Sequence, residues 1–248
     1  MIAKILIAST LKPVSDTRGY YKIAKSLAKS GKYIVEIIGG PPRPKIELDN
    51  IKLHPQPLYS RNLISRLQLR WKIFGKIIRI RPDLLIITSH ELLVIAAVYR
   101  LLYRKKIIYD IQENYNFNLR FQQVYPWGFR HLLALAIRCK EIICSPFIAY
   151  FFLAEKCYQQ EIKFLSRKKT LVLENKFAPI KTTPKKKDQT KIEFLLSGTI
   201  GELYGAVDAL NFIASFPADK YLLRIIGHCP DEQLRLKIEE ISRCANVS

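Results

Sequence analysis

Polar residues crowd the end of one apolar run in this sequence. The run at 107–111 passes directly into amide and carboxylate side chains, and packing alone requires no such density of polar groups there. The polar residues are Asp110, Gln112, Glu113, Asn114 and Asn116. Because amides donate and accept hydrogen bonds and carboxylates accept them, this segment can hold the hydroxyl groups of a substrate.

A second polar segment follows the first apolar run, residues 4–9. It offers a ligand the side chains of Thr10, Lys12, Asp16, Thr17 and Arg18. It contains no G-x-G-x-x-G, so the dinucleotide-binding fingerprint is absent. Asp16 and Thr17 are equally suited to capping the helix predicted to follow, because short oxygen-bearing side chains accept hydrogen bonds from the first N–H groups of a helix.

A histidine beside a carboxylate follows a third apolar run, residues 84–88. The two residues are His90 and Glu91. Such a pair can orient a substrate hydroxyl, or it can cap the next helix. We expect capping, and we keep His90 as a candidate acceptor-binding residue.

These polar segments lie between elements that alternate between strand and helix patterns. The alternation runs from Lys4 to Glu174 and predicts an α/β fold, a parallel sheet with helices on both faces. In open sheets of this class, ligands bind beyond the carboxyl ends of the strands. All three polar segments fall at predicted strand ends.

The alternation is interrupted once and then restarts. A stretch rich in proline and lysine, residues 178–190, separates residues 1–177 from residues 191–248, where strand, helix, strand and helix patterns follow one another. We therefore predict two Rossmann-like parallel-sheet units joined by a linker. The second spans 58 residues, against about 100–150 in a typical domain, so we expect it to be truncated.

The chain carries a large positive charge. Its 248 residues include 41 lysines and arginines and 21 acidic residues, a formal net charge of +20. Such an excess attracts nucleic acid, anionic lipid headgroups or phosphorylated substrates. The sequence has no zinc-finger spacing and no aromatic strand of the RNA-recognition type, so we expect no nucleic-acid partner.

One predicted helix, within residues 60–81, concentrates this charge and contains no acidic residue. Its basic residues are Arg61, Arg66, Arg70, Lys72, Lys76, Arg79 and Arg81. Its apolar stripe is Leu63, Leu67, Trp71, Phe74 and Ile78. The stripe either packs on the sheet or meets a membrane surface, and we expect packing. The basic face, with a second basic group at residues 100–106, then remains free to meet an anionic membrane.

Other features favour a cytoplasmic protein. The longest apolar runs are far shorter than the roughly 18 residues of a membrane-spanning helix. The first residues lead directly into a strand pattern, so we expect no signal peptide. The five cysteines, at positions 139, 144, 157, 229 and 244, lack metal-type spacing, and we expect them to be reduced.

The order of segments resembles glycosyltransferase family 4 (group 1), a large family of GT-B glycosyltransferases. The similar segments cover residues 4–40 (KILIAST…), 81–97 (RPDLLIITSHELLVIAA) and 105–115 (KKIIYDIQENY). They continue at residues 153–164 (LAEKCYQQEIKF), 170–176 (TLVLENK) and 194–214 (FLLSGTIGELYGAVDALNFIA). The set therefore extends over nearly the whole chain.

The resemblance implies a GT-B fold, with the acceptor in the first domain and a nucleotide-diphosphate sugar in the second. It implies hexosyl transfer with retained anomeric configuration to a polysaccharide or lipid-linked acceptor at the cytoplasmic membrane face, without a metal ion or other cofactor. Gln112 and Glu113 would position the sugar. The acceptor or its phosphate would meet Thr10, Lys12, Asp16, Thr17, Arg18, His90 and Asn114. The donor phosphates would meet Gly198, Thr199, Gly201, Tyr204 and Gly205.

Three features depart from the family pattern. Gln112 stands where the family usually has an active-site histidine, and glutamine cannot titrate. Thr199 and Tyr204 stand where the family usually has an arginine and a lysine, so the diphosphate loses two cations unless backbone N–H groups at a helix start compensate. The family's E-x7-E segment, which serves the donor, would lie beyond Ser248. We therefore expect the 248 residues alone to transfer little or no sugar.

Two alternatives to a glycosyltransferase remain open. The chain could be a non-catalytic relative that binds sugar or membrane and needs a partner chain to complete the donor site. It could also be an acceptor-side domain that is inactive alone.

Overall fold

The computed structural model describes residues 2–42, 51–57, 63–121, 125–176, 191–244 and 247. The chain divides into two compact units, Met1–Ala178 (unit 1) and Pro179–Ser248 (unit 2). The predicted linker at 178–190 lies outside the described residues, as does Arg61. Each unit contains a parallel sheet accompanied by helices, which confirms the predicted α/β class.

A seven-stranded parallel sheet forms the centre of unit 1. Its strands are β1 (Ala3–Pro13), β2 (Tyr33–Gly40), β3 (Ile51–Pro55), β4 (Leu84–Ile87), β5 (Lys106–Ile111), β6 (Tyr150–Leu153) and β7 (Thr170–Val172). Their order in the sheet is β3-β2-β1-β4-β5-β6-β7. The direction of strand addition reverses between β1 and β4, and ligands bind at such a reversal in open α/β sheets.

Helices cover both faces of this sheet. They are a π-helical segment (Thr17–Ala24) that continues as α1 (Lys25–Lys29), then α2 (Leu63–Ile80), α3 (Leu93–Tyr103), α4 (Tyr115–Phe121), α5 (Trp127–Cys144) and α6 (Tyr158–Glu161). Successive side chains of a strand point to opposite faces. Ile5 and Ile7 of β1 accordingly join the core beneath α1, while Leu6 and Ala8 join the core beneath α2 and α3. None of the described helices is long and apolar enough to cross a membrane.

Helix α2 packs on the sheet through a stripe other than the predicted one. Leu69, Ile73 and Ile77 are buried, whereas Leu67 and Trp71 of the predicted stripe are 51% and 67% exposed. The prediction that this stripe covers the sheet is therefore wrong for Leu67 and Trp71, while Phe74 of the same stripe does pack against the core. The helix has two apolar stripes, and their spacing alone does not say which one faces the sheet.

Unit 2 contains a two-stranded parallel sheet, β8 (Ile192–Thr199) and β9 (Tyr221–His228). Each strand is followed by a helix, α7 (Ala206–Ala214) and α8 (Glu232–Cys244). The predicted order of strand, helix, strand and helix is confirmed. The end of β8 and the start of α7 bound the loop that the resemblance assigns to the donor.

Candidate functional site

The carboxyl ends of β1 and β4 meet at the point where the strand order of unit 1 reverses. Thr10 of β1 donates a hydrogen bond from its hydroxyl to the Ser89 hydroxyl, at 3.0 Å, and both residues are buried. This contact joins the polar segment that follows residues 4–9 to the polar segment that follows residues 84–88. The fold therefore brings them to the edge of the sheet where a ligand is expected.

A buried ion pair links the helix after β1 to the end of β5. Arg18 donates to Asp110 from Nε (2.9 Å to Oδ2) and from Nη2 (2.6 Å to Oδ1), and the two side chains are 4% and 0% exposed. Arg18 Nη1 also donates to the Leu173 carbonyl oxygen at 2.6 Å. All three guanidinium nitrogens thus contact the protein. This geometry suits Arg18 to positioning the site, and its predicted contact with the acceptor stays a prediction.

Gln112 is held between this ion pair and Lys12. Its Nε2 donates to Asp110 Oδ2 at 2.8 Å, and its Oε1 accepts a hydrogen bond from Lys12 Nζ. Glu113 is exposed and accepts from Asn118 Nδ2 at 3.1 Å. The fold therefore brings Gln112 and Lys12 together, while Glu113 points to solvent.

Asp16 is engaged in capping the π-helical segment. Its Oδ2 accepts from the backbone N–H groups of Arg18 (3.2 Å) and Gly19 (2.9 Å). Thr17, the first residue of that segment, is exposed. Of the two alternatives for Asp16, the structure shows the cap.

Asn114 is buried and fully engaged by other side chains. It donates to Glu161 at 2.9 Å and accepts from Arg138 at 2.7 Å. Its Oδ1 also lies 3.5 Å from the Phe117 backbone nitrogen in the first turn of α4. Contact with an acceptor would require Asn114 to exchange these partners.

The expectation that His90 and Glu91 cap a helix is wrong. Ser89 is the N-cap residue of the short 3₁₀ turn His90–Leu92, and the turn has no side-chain cap. His90 Nδ1 instead lies 2.8 Å from Lys140 Nζ, and its ring packs edge-to-face on Tyr115. Burial, followed by the charges of Lys140, Arg70 and Arg66, lowers the pKa of His90 to about 3. His90 is therefore neutral at physiological pH.

A cavity of about 280 Å³ opens at this edge of the sheet, and we call it the edge cavity. Its walls include Leu11, Arg66, Arg70, Ser89, His90 and Tyr115. Burial raises the pKa of Tyr115, so its hydroxyl stays protonated. The edge cavity offers hydroxyl, imidazole and guanidinium groups to a ligand, and apolar side chains line the rest of it.

Arg66, Arg70, Tyr115 and Lys140 are members of this site that the sequence did not identify as such. Arg66 and Arg70 approach Glu91 at 3.4 and 3.8 Å, and Glu91 is buried. The one available signal was the spacing of Arg66 and Arg70, which puts them on the same face of α2. Nothing in the spacing indicates that Lys140, 50 positions after His90, reaches the same place.

The predicted donor loop of unit 2 is built on two glycines with positive φ. Gly198 has φ of 117° and Gly205 has φ of 77°, values that favour glycine. Thr199 and Tyr204 are exposed, Gly201 precedes a short 3₁₀ turn, and α7 begins without a side-chain cap. Asp208 lies in the first turn of α7, where its charge opposes the binding of an anion. The backbone N–H groups of Tyr204 and Gly205 donate to the Gly201 and Glu202 carbonyl oxygens, and the loop contains no cation of its own.

Among the residues that the structure describes, no group of three or more histidine, cysteine, aspartate or glutamate side chains could hold a metal ion.

No protein-family model and no curated protein sequence matches this chain. Solved structures do match, and the three named here each cover 99% of the chain. They include the lipopolysaccharide outer core galactosyltransferase WaaB (TM-score 0.60, 15% identity, 67% of its length) and Anabaena HepE with UDP and glucose (0.61, 14%, 68%). Sucrose-phosphate synthase from Thermosynechococcus elongatus also matches (0.67, 12%, 69%).

Sequence identities this low establish the fold alone. The matched proteins are GT-B glycosyltransferases, and this chain spans about two thirds of their length. The chain therefore has the fold of the GT-B glycosyltransferases, as its sequence resemblance predicted.

Proposed function

We propose that this protein transfers a hexosyl group from a nucleotide-diphosphate sugar to a hydroxyl group of a polysaccharide or lipid-linked acceptor. The observation that carries this proposal is the polar cluster at the strand reversal of a GT-B fold. HepE has been solved with UDP and glucose and with UDP-glucose, which supports a nucleotide sugar as donor. WaaB and WaaG act in lipopolysaccharide synthesis, which supports a glycan or lipid-linked acceptor.

The reaction would retain the anomeric configuration. The acceptor oxygen attacks the anomeric carbon on the face from which the nucleotide leaves, the bond between that carbon and the phosphate oxygen breaks, and the acceptor proton passes to the leaving phosphate. Gln112 and Lys12 would hold sugar hydroxyls at the carboxyl edge of the unit 1 sheet. Charge on the leaving diphosphate requires electrostatic stabilisation, for which the loop between Gly198 and Gly205 supplies backbone N–H groups.

Restoring cations to the donor loop tests the donor half of this proposal. The double variant Thr199→Arg/Tyr204→Lys should bind UDP more tightly by about tenfold for each cation, because a hydrogen bond to a charged group contributes roughly 1.5 kcal/mol or more. Isothermal titration calorimetry measures this affinity, and Thr199→Gln/Tyr204→Gln is the uncharged control. Equal UDP affinity in wild type and both variants would show that the loop does not meet the diphosphate.

We also propose that unit 1 associates with anionic membranes. Arg79, Arg81, Arg104 and Lys106 are exposed, and Leu101 and Leu102 beside the last two are 64% and 63% exposed. Three basic residues of the two predicted groups have acidic partners: Lys105 pairs with Asp83 at 2.7 Å, and Arg66 and Arg70 approach Glu91. We assign Arg79, Arg81, Arg104 and Lys106 to the lipid surface.

Neutralising two of these cations should weaken vesicle binding. Each basic residue near an anionic surface contributes about 1 kcal/mol, so Arg104→Gln/Lys106→Gln should bind anionic vesicles roughly 30-fold more weakly. Co-sedimentation should also fall steeply as salt rises, because salt shortens the range of the attraction. Equal binding to neutral and anionic vesicles would contradict this assignment.

A further inference from the structure

The apolar residues that α2 leaves exposed line a groove of about 240 Å³ against α3. Its walls are Leu67, Trp71 and Phe74 from α2 and Val94, Ile95 and Val98 from α3. Trp71 is 67% and Val94 is 52% exposed. These side chains leave hydrocarbon surface in contact with water, and covering it with the hydrocarbon of a ligand is favourable. We call this feature the α2–α3 groove.

The α2–α3 groove adjoins the edge cavity. Arg70 and Glu91 line both, so a single ligand can extend from one into the other. The edge cavity presents hydroxyl, imidazole and guanidinium groups, whereas the groove is almost wholly apolar apart from the residues at the junction. The two spaces together fit a molecule with a polar head and a hydrocarbon chain.

The junction carries an excess of positive charge. Arg66 and Arg70 approach the Glu91 carboxylate, and the neighbouring His90 is neutral. The charges of Glu91 and Glu141 both act on Lys140, and Glu141 is paired with Arg138. Arg70 Nε is buried and has no hydrogen-bond partner among the described residues. The Arg70 side chain as a whole is 30% exposed, so an anionic oxygen of a ligand can meet the accessible part of its guanidinium. The head of the ligand is therefore expected to be anionic.

We propose that the acceptor is a phosphate-bearing lipid, with its phosphate against Arg70 and Lys140 and its hydrocarbon chain in the α2–α3 groove. This inference rests on the proposed function, since it names the acceptor class of the same site. A free phosphate would leave the groove empty. A neutral glycan would neither cover the apolar walls of the groove nor pair with the cations.

The dependence of affinity on the length of the ligand's alkyl chain shows whether that chain occupies the groove. Each methylene transferred from water to an apolar environment contributes enough free energy to tighten binding about fourfold. Hexyl, octyl and decyl phosphate should therefore bind with affinities that rise by about 16-fold per two carbons while the added carbons still enter the groove. Inorganic phosphate, which has no chain, and alkyl maltosides of the same lengths, which have no charge, should bind much more weakly.

Tryptophan fluorescence reports this binding at the groove itself. The chain has two tryptophans, and Trp127→Phe leaves Trp71, in the groove wall, as the sole fluorophore. Titration of this variant with monomeric alkyl phosphates should shift the Trp71 emission to shorter wavelength as the chain covers the indole. Affinity that is independent of chain length, or an unchanged emission, would overturn the inference.

Two substitutions distinguish the contribution of the ligand's phosphate head to binding from that of its hydrocarbon chain. Val98→Asp places a carboxylate in the groove and should weaken decyl phosphate binding by at least about tenfold, because burying an unpaired charge is unfavourable. Ile143→Asp, at a 70% exposed site on α5, is the matched control and should leave binding unchanged. Arg70→Gln should reduce the preference for phosphate over maltoside while the chain-length dependence persists. Equal losses in Val98→Asp and Ile143→Asp would overturn the assignment of the groove.

The binding assay contains no sugar donor, so its result does not depend on whether the protein transfers sugar. Alkyl phosphate binding without sugar transfer would support the lipid site and contradict the glycosyltransferase. Transfer to a water-soluble glycan without alkyl phosphate binding would support the glycosyltransferase and overturn the lipid acceptor. Farnesyl phosphate and lysophosphatidic acid distinguish a prenyl from an acyl source, and chain-dependent binding of either supports the inference.

Discussion

Replacing Arg18 with methionine is expected to lower the free energy of unfolding of unit 1 by about 3–5 kcal/mol. The substitution removes both charged hydrogen bonds to Asp110, whose side chain is 0% exposed, and leaves a buried carboxylate without its cation. The cost arises mainly from that uncompensated charge. The lost bond to the Leu173 carbonyl oxygen, which ties β7 to the helix after β1, adds to it.

Urea unfolding followed by tryptophan fluorescence measures this effect, because Trp71 and Trp127 both belong to unit 1. Lys22→Met is the matched control: Lys22 donates to the Lys176 carbonyl oxygen at an exposed site, and its loss should cost about 0.5 kcal/mol or less. The double variant Arg18→Met/Asp110→Leu should recover most of the loss, since no charge is then left unpaired. A cost below about 1 kcal/mol for Arg18→Met would contradict the role given to this pair.

Replacing Gln112 with leucine is expected to lower kcat/KM for sugar transfer by about 100- to 1,000-fold, the range seen when a polar group that stabilises a transition state is removed. Leucine has a similar volume but neither accepts from Lys12 nor donates to Asp110. Arg18 still pairs with Asp110, so the fold should persist. The variant loses the Gln112 amide and the hydrogen bond that orients Lys12. Both residues are proposed to contact the sugar.

Initial rates with a nucleotide-sugar donor measure this loss, and circular dichroism verifies the fold of the variant. Gln159→Leu makes the same substitution at an exposed glutamine and should leave the rate unchanged. A Gln112→Leu protein that is folded and retains wild-type kcat/KM would remove Gln112 from the site.

The sheet could be predicted from the sequence wherever strands are long apolar runs. Strands β1, β2, β4 and β5 are buried on both faces, and their runs stand out against helical periodicity. Strands β3 and β7 were not predicted. Both are only partly buried, and β3 includes Lys52 and His54, so neither forms an uninterrupted apolar run like that of the four-residue β4.

The candidate site could be predicted in part. Thr10, His90 and Gln112 were identified because each comes just after an apolar run, and the end of such a run decides which edge of the sheet a residue occupies. Strand β1 itself continues past Thr10 to Pro13. The partners that fix them could not be predicted, since Arg18 and Asp110 are 92 positions apart and His90 and Lys140 are 50 apart. The capping expectation for His90 failed for the same reason, because a partner on α5 competes with the local backbone for the imidazole.

The most direct test of the account is a single-turnover assay with protein in excess over labelled nucleotide sugar, in the presence of a lipid phosphate and an oligosaccharide as acceptors. The wild-type chain should form a small amount of glycosylated product with retained anomeric configuration. Thr199→Arg/Tyr204→Lys should form it faster, and Gln112→Leu should form it about 100- to 1,000-fold more slowly. Absence of product from both the wild-type chain and the double variant, with every nucleotide sugar tested, would contradict the proposed glycosyl transfer and favour a non-catalytic relative.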